Sequence, residues 1–185
     1  MPKLNRTEGI TKITAEDMKY IKKMGKTIKL LATSKKQNGK YYVYVCPVIL
    51  PKEHPLFNVN DVFNAVFVHG NMLGDAMFYG SGAGKLPTAS AVVADIVDAV
   101  KSADNNGYGW DSESLQISDI GGAKRSFFVR VKGDGAQAAQ IFVNFEMIDA
   151  GVPGECGFIT EEMTEKEFED KANSIDGLIN RIRMA

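Results

Sequence analysis

The sequence predicts an α+β fold: a mainly antiparallel sheet with helices on one face, followed by a small α/β sandwich. Three observations predict it. Two pairs of β-branched and aromatic runs, Thr27 to Thr33 with Tyr41 to Val48 and Phe63 to Val68 with Ala76 to Tyr79, are each joined by a glycine-bearing turn. Ala89, Val92, Val93, Ile96, Val97 and Val100 recur at the apolar spacing of a helix. After a stretch poor in apolar periodicity, residues 103–122, strand-like runs and a capped helix resume. The chain therefore divides into a first unit over 1–103, a linker over 104–122 and a second unit over 123–185.

The elements follow in order. Thr14-Ala-Glu-Asp17 has capping-box spacing, with Asp in place of the preferred Glu; Met18, Ile21 and Met24 keep helical spacing, and Gly25 supplies a stop. Asn38-Gly39 accepts positive φ and turns the first hairpin, whose second strand is closed by Pro47 and Pro51. Gly70 and Gly74 turn the second hairpin. Gly80-Ser-Gly-Ala-Gly84 follows it, and Pro87 fits the first turn of the helix beyond. In the second unit Ser126 to Val131 reads as a strand broken by Gly133 and Gly135. Gln137 to Ile141 reads as helical turns, and Phe142 to Ile148 and Gly157 to Thr160 as strands. Thr164-Glu-Lys-Glu167 is a full capping box, followed by the helical stripe Phe168, Ala172, Ile175 and Ile179. Ile182 and Met184 finish as an edge strand.

Composition narrows the class. The 185 residues are 44% hydrophobic and 24% charged, enough apolar content for a core and too much for wholesale disorder. No apolar run is long enough to span a bilayer, and the basic N-terminus lacks the apolar segment of a signal peptide. Cys46 and Cys156 are far apart and read as reduced thiols, so the expectation is a soluble cytoplasmic protein. Residues 1–40 carry a net charge of +8 and the remainder −9. The early lysines alternate with Met18, Ile21, Met24 and Ile28, without aromatic interleaving for base stacking. They read as a solvated face, not a nucleic-acid arm.

The glycine segment is the first chemical candidate. Glycines between a strand and a helix let main-chain N–H groups approach a phosphate or ribose, and a helix N-terminus favours an anion. It is not a P-loop, because Tyr79 takes the place of the first glycine and Leu86 that of the Ser or Thr. It is not a dinucleotide fingerprint either, because Lys85 takes the place of the third glycine. A tight, closely packed turn remains the alternative. His54 and His69 have no carboxylate or cysteine at ligand spacing and read as structural. Asp75, Asp95 and Asp98 lie near the segment in sequence; Asp95 and Asp98 share a helix face. No catalytic residue and no metal site emerges.

Motif order adds a resemblance. Glu8-Gly9-Ile10, Ile28-Lys-Leu-Leu-Ala32, His54-Pro55, Phe63-Asn-Ala-Val66 and Met77-Phe-Tyr-Gly-Ser-Gly-Ala-Gly84 occur in this order, followed by Pro87-Thr-Ala-Ser-Ala-Val92 and Asp95. Together they resemble the C-terminal half of the substrate-binding domain of homoserine dehydrogenases, from about Glu8 to about Val100. The tail from Ser126 resembles a divergent ACT-type regulatory module. Such a module implies an amino-acid effector, although the short interval between Gly135 and Phe142 speaks against one at Asp134-Gly135.

The resemblance implies NAD(P)-dependent interconversion of homoserine and aspartate semialdehyde, a step towards threonine and methionine. It implies a dimer formed through the sheet, and Gly80, Gly82, Ala83 and Gly84 as contacts to the cofactor. In that family a Rossmann domain, the catalytic lysine and aspartate and the monovalent-cation site lie upstream of the Glu-Gly-Ile motif. The expectation is therefore a fragment inactive on its own, with no cofactor bound and with the Rossmann domain as its absent partner. The residues that choose NAD or NADP belong to that domain. A stand-alone ACT-type amino-acid-binding protein is the alternative.

Overall fold

The computed structural model describes residues 6–102 and 112–185. The fold is mixed α and β, and its strands are mostly antiparallel. Residues 104–111 of the expected linker lie outside the described residues. Compact units follow a different partition from the one read in sequence. One unit combines Met1–Lys52 with Gln116–Ala185, and the other is Glu53–Leu115.

The first unit is built on one sheet. Its strands are β1 (Arg6–Thr7), β2 (Thr27–Gln37), β3 (Lys40–Leu50), β7 (Phe127–Lys132), β8 (Phe145–Ile148), β9 (Glu155–Thr160) and β11 (Leu178–Met184). β2 and β3 form the expected hairpin, with positive φ at Asn38 and Gly39. β3 then pairs in parallel with β1 at Tyr44 and Val45 and with β11 at Val48 and Ile49. From β11 the order continues through β7 and β9 to β8. The tail strands thus have no sheet of their own. Residues 1–52 supply the open edge of β3, which β11 occupies, and that is why the unit crosses the expected boundary.

Three local expectations are corrected here. Pro47 does not close its strand but lies inside β3, opposite Leu30. Val45 O accepts from Glu8 N and Ile49 O from Ala185 N, so the intervening Pro47 faces the gap between β1 and β11, where no N–H is needed. The helical stripe after Thr164 is shorter than expected. α4 spans Glu165–Ala172, Asn173 caps it, and Ile179 falls in β11. Finally, β11 is not an edge strand but lies between β3 and β7.

Helices cover both faces of this sheet. α1 (Ala15–Lys23) starts at a complete Thr14–Asp17 capping box. Its Tyr20 and Ile21 pack with Phe128, Ile49 and Ile182. Gly157 permits the close approach, since a Cβ there would lie 2.7 Å from the Tyr20 ring. On the opposite face α3 (Ala136–Ile141) and α4 cover Phe127, Val129 and Val131. There the Phe127 and Phe168 rings stack at 3.9 Å. Alternation along β7 puts Arg130 on the α1 side with Phe128. It is buried and held by Asp17 at 2.6 Å and by both Glu155 oxygens at 2.7 and 2.8 Å. Within the same unit two short strands, β6 (Lys124–Arg125) and β10 (Met163–Thr164), pair as a separate two-stranded sheet.

The second unit contains the hairpin β4 (Phe63–Gly70) and β5 (Gly74–Ser81), followed by α2 (Lys85–Lys101). All three match the sequence expectation. No described residue of Glu53–Leu115 is fully buried. The apolar stripe of α2 is open, with Val93 and Ile96 each 57% exposed.

Candidate functional site

The glycine segment connects the end of β5 to the start of α2. The register sets Asn64 opposite Gly80 and Phe63 opposite Ser81. Gly82 N–H then donates to Val62 O at 3.2 Å, which carries the chain past the hairpin end. Gly84 is the N-cap of α2 with φ 116°, a conformation that needs glycine. Its carbonyl accepts from the Thr88 N–H at 3.2 Å and from the Thr88 hydroxyl at 2.9 Å.

The three glycines are bare for different reasons. At Gly82 a Cβ would stand 1.8 Å from Asn64 Nδ2 and 2.8 Å from Asn64 Cγ, so this glycine makes room for a neighbour in its own unit. At Gly84 the positive φ decides, with Pro87 Cδ 3.4 Å from an added Cβ. At Gly80 the φ is ordinary and nothing lies within 4 Å of an added Cβ. Its open main chain answers to nothing within the fold. Ala83 is exposed beside it.

The start of α2 suits an anion. α1 and α4 begin with complete capping boxes and acidic first turns, whereas α2 has no side-chain cap and no acid in its first turn. Its first N–H groups and the positive end of a 17-residue helix therefore face outward without a carboxylate of their own.

The hairpin is apolar on both faces. Phe63, Ala65, Phe67, Met77 and Tyr79 share one face, and Val66, Val68, Ala76 and Phe78 the other. Phe63 and Tyr79 stack at 4.9 Å on the first. Such two-sided strands belong between two covering layers.

The remaining candidates are dispersed. His54 accepts the Leu56 N–H on Nδ1 at 3.1 Å and meets the Phe67 ring edge-on at 5.7 Å; burial pushes its pKa down. His69 does have a carboxylate partner, contrary to expectation. Asp75 lies directly opposite in the hairpin, with Nδ1 to Oδ1 at 2.6 Å, and both side chains are exposed. A predicted two-strand register carries that pairing, which linear spacing misses. Asp95 and Asp98 lie on exposed positions of α2. Cys46 is buried in β3, where burial pushes its thiol pKa up. Over Gly135 the space is filled, since an added Cβ would stand 2.7 Å from Cys156 Sγ and 3.4 Å from Met147 Cε. Among the described residues no group of three His, Cys, Asp or Glu could hold a metal, and no helix is long and apolar enough to cross a membrane.

Comparison with known proteins converges on one family. The homoserine dehydrogenase family model matches residues 2–97. The homoserine dehydrogenase of Bacillus subtilis (strain 168) is 44% identical over 97 residues, covering 52% of this chain and 22% of the relative. That of Corynebacterium glutamicum is 45% identical over 122 residues, covering 62% and 27%. Among solved structures, a homoserine dehydrogenase from Thiobacillus denitrificans superposes with a TM-score of 0.80 at 28% identity, over 98% of this chain and 48% of that one. The chain thus spans about half the length of the solved relative it matches.

Proposed function

Since the chain belongs to the homoserine dehydrogenase family, we propose that it forms the part of such an oxidoreductase whose Gly80–Gly84 turn lies against the NAD(P) cofactor. One observation carries the reading: Gly80 presents open main chain that neither backbone conformation nor neighbouring atoms require. The uncapped α2 start supports it, because a dinucleotide carries anionic phosphates. Gly80 and Ala83 would lie along the cofactor, while Gly82 and Gly84 hold the shape of the turn. When bound, the nicotinamide supplies the hydride-accepting carbon. This chain's own contribution is a surface without side chains that lets the cofactor lie close, and an apolar hairpin and helix that exclude water once covered.

Hydride transfer from homoserine also needs a positioned proton acceptor. His69–Asp75 is solvent-exposed, and His54 spends its Nδ1 on Leu56, so neither is offered in that role. The reading therefore places the acceptor, with the nucleotide-binding domain, in the portion of the relatives that this chain does not cover. The two apolar faces of the hairpin and the open stripe of α2 support a covering partner of that kind. A homodimer through the sheet belongs to the same proposal. β2 is a strand of 11 residues that pairs only with β3 among the described residues, and Leu30 on it is exposed.

The test joins this chain to the uncovered portion of the Bacillus subtilis enzyme and measures homoserine-dependent reduction of NADP. The chain alone should show no turnover and the chimera should show it. In the chimera, Gly80→Val should raise the KM for the cofactor. Turnover by the chain alone, or an unchanged cofactor KM in the variant, would overturn the proposal.

A further inference from the structure

Among the described residues β1 is the pair Arg6–Thr7. It adds two register positions to β3, and Glu8 N–H donates to Val45 O at 2.8 Å. Ordering these residues costs conformational entropy, which side-chain contacts offset together with the ladder bonds.

Side chains supply the rest, and their partners come from the far end of the chain. Arg6 bonds Glu8 at 2.6 Å and also bonds Glu169; its Nη1 lies 3.6 Å from Glu165. Glu8 accepts from Arg183 at 2.8 and 3.1 Å and lies 3.6 Å from Arg181. Spacing explains the fit. Glu165 and Glu169 are one turn apart on α4. Arg181 and Arg183 alternate onto one face of β11, as do Arg6 and Glu8 on the extended segment that crosses them. The three pairs interlock with alternating charge.

The seat holds an ion pair of its own. Arg183 is 1% exposed, and Glu165, equally buried, accepts from its Nε at 2.6 Å and its Nη2 at 2.8 Å. Arg125 Nε adds a 3.1 Å approach to Glu165. Glu8 is the more accessible member, 31% exposed.

We propose that residues 6–8 are an ion-clamped strap whose seat is built by α4 and β11, so that a displacement of α4 loosens the strap while the sheet, β11 included, stays intact. The strap is held by side chains up to 175 positions away, and its place reports the state of that end of the chain. A ligand or modification acting on the outer face of α4 would be felt first at Arg6–Glu8.

Hydrogen exchange of the full chain tests this, with Glu8→Gln and Glu169→Gln as variants; both positions are partly exposed, and both substitutions leave the Arg183–Glu165 pair untouched. Each should speed exchange of the residue-8 amide, which donates to Val45 O, by about tenfold or more, while the Val129–Val131 amides keep their rates. An unchanged residue-8 amide in either variant would overturn the proposal. So would strap and sheet amides speeding up together, since the network would then only hold the whole unit.

Discussion

Replacing Gly80 or Gly82 by alanine adds one methyl group in each case, and the structure assigns the two opposite consequences. At position 82 the new Cβ meets Asn64 at 1.8 Å from Nδ2, 2.8 Å from Cγ and 3.3 Å from Cβ. The Asn64 amide can swing away into solvent, but the contact at its Cβ persists in any rotamer. The cost is that of an off-rotamer side chain with slight backbone adjustment, about 0.5–1.5 kcal/mol. At position 80 no atom lies within 4 Å and φ is ordinary, so alanine only removes the entropic penalty of a glycine in a strand. That gain is about 0.5–1 kcal/mol. In the 185-residue chain, amide exchange of β4 and β5 should therefore slow in Gly80→Ala and quicken in Gly82→Ala, a spread of about five- to seventyfold. In the chimera with the remainder of the enzyme the ranking reverses for the cofactor. Gly80→Ala should raise its KM, and Gly82→Ala should leave it nearly unchanged as long as the hairpin holds. A loosened hairpin in Gly80→Ala would refute the claim that this glycine has no structural reason. An unchanged cofactor KM would refute the claim that its reason is the cofactor.

Two further outcomes follow from the buried charges. Burial alone would push the Glu8 carboxyl up, but the Arg183 guanidinium and its neighbours bring it down from 4.5 to about 2. A carboxylate depressed in the folded state stabilises fully above its unfolded value, and that stabilisation fades as pH falls from about 4.5 to about 2. Discounted for solvent screening at this partly exposed site, it amounts to about 1–2 kcal/mol. The Tm gap between the wild-type chain and Glu8→Gln should close over that interval; a gap that stays constant from pH 7 to 2 would contradict it. Arg130→Met should cost about 3–5 kcal/mol in urea unfolding, because it strands the fully buried Asp17, and adding Asp17→Asn should restore part of the loss. A cost below about 1 kcal/mol would show that Asp17 finds other relief.

Legibility tracked the range of each interaction. Thr14–Asp17 and Thr164–Glu167 were readable because a capping box is complete within four residues, and Asn38-Gly39 because the turn carries its own φ requirement. The β4–β5 hairpin and α2 were likewise local. The place of β11 was not, since pairing with β3 and β7 depends on strands about 130 and 50 residues away, and periodicity reports faces rather than neighbours. The strand at Arg6–Thr7 is held by ion pairs and leaves no periodic trace. Ile179 fitted the α4 stripe by spacing alone, but the helix stops at Asn173 and the chain turns at Gly177 with φ 76°. At the candidate site the glycines were visible as a group. Their separate reasons required knowing what stands next to each Cβ.

The buried arginines show what periodicity conceals. In Leu178–Met184, Arg181 and Arg183 alternate with Ile182, which reads as a strand with one wet face. The sheet is covered on both sides, so the alternate face points into a second layer and its charges need partners there. Each helix supplies one carboxylate for its own face. Arg130 points toward α1 and meets Asp17; Asn180, on that same side, donates to Asp17 at 2.8 Å. Arg183 points toward α4 and meets Glu165, and Arg181 lies over the Phe168 ring with its guanidinium 5.8 Å from the centroid. A one-residue slip of β7 or of β11 would carry that strand's arginines to the helix that lacks their carboxylate. Apolar patterning alone would punish the slip on one face only. With ion pairs on both faces, the register of the sheet and the choice of which helix covers which side are one and the same constraint.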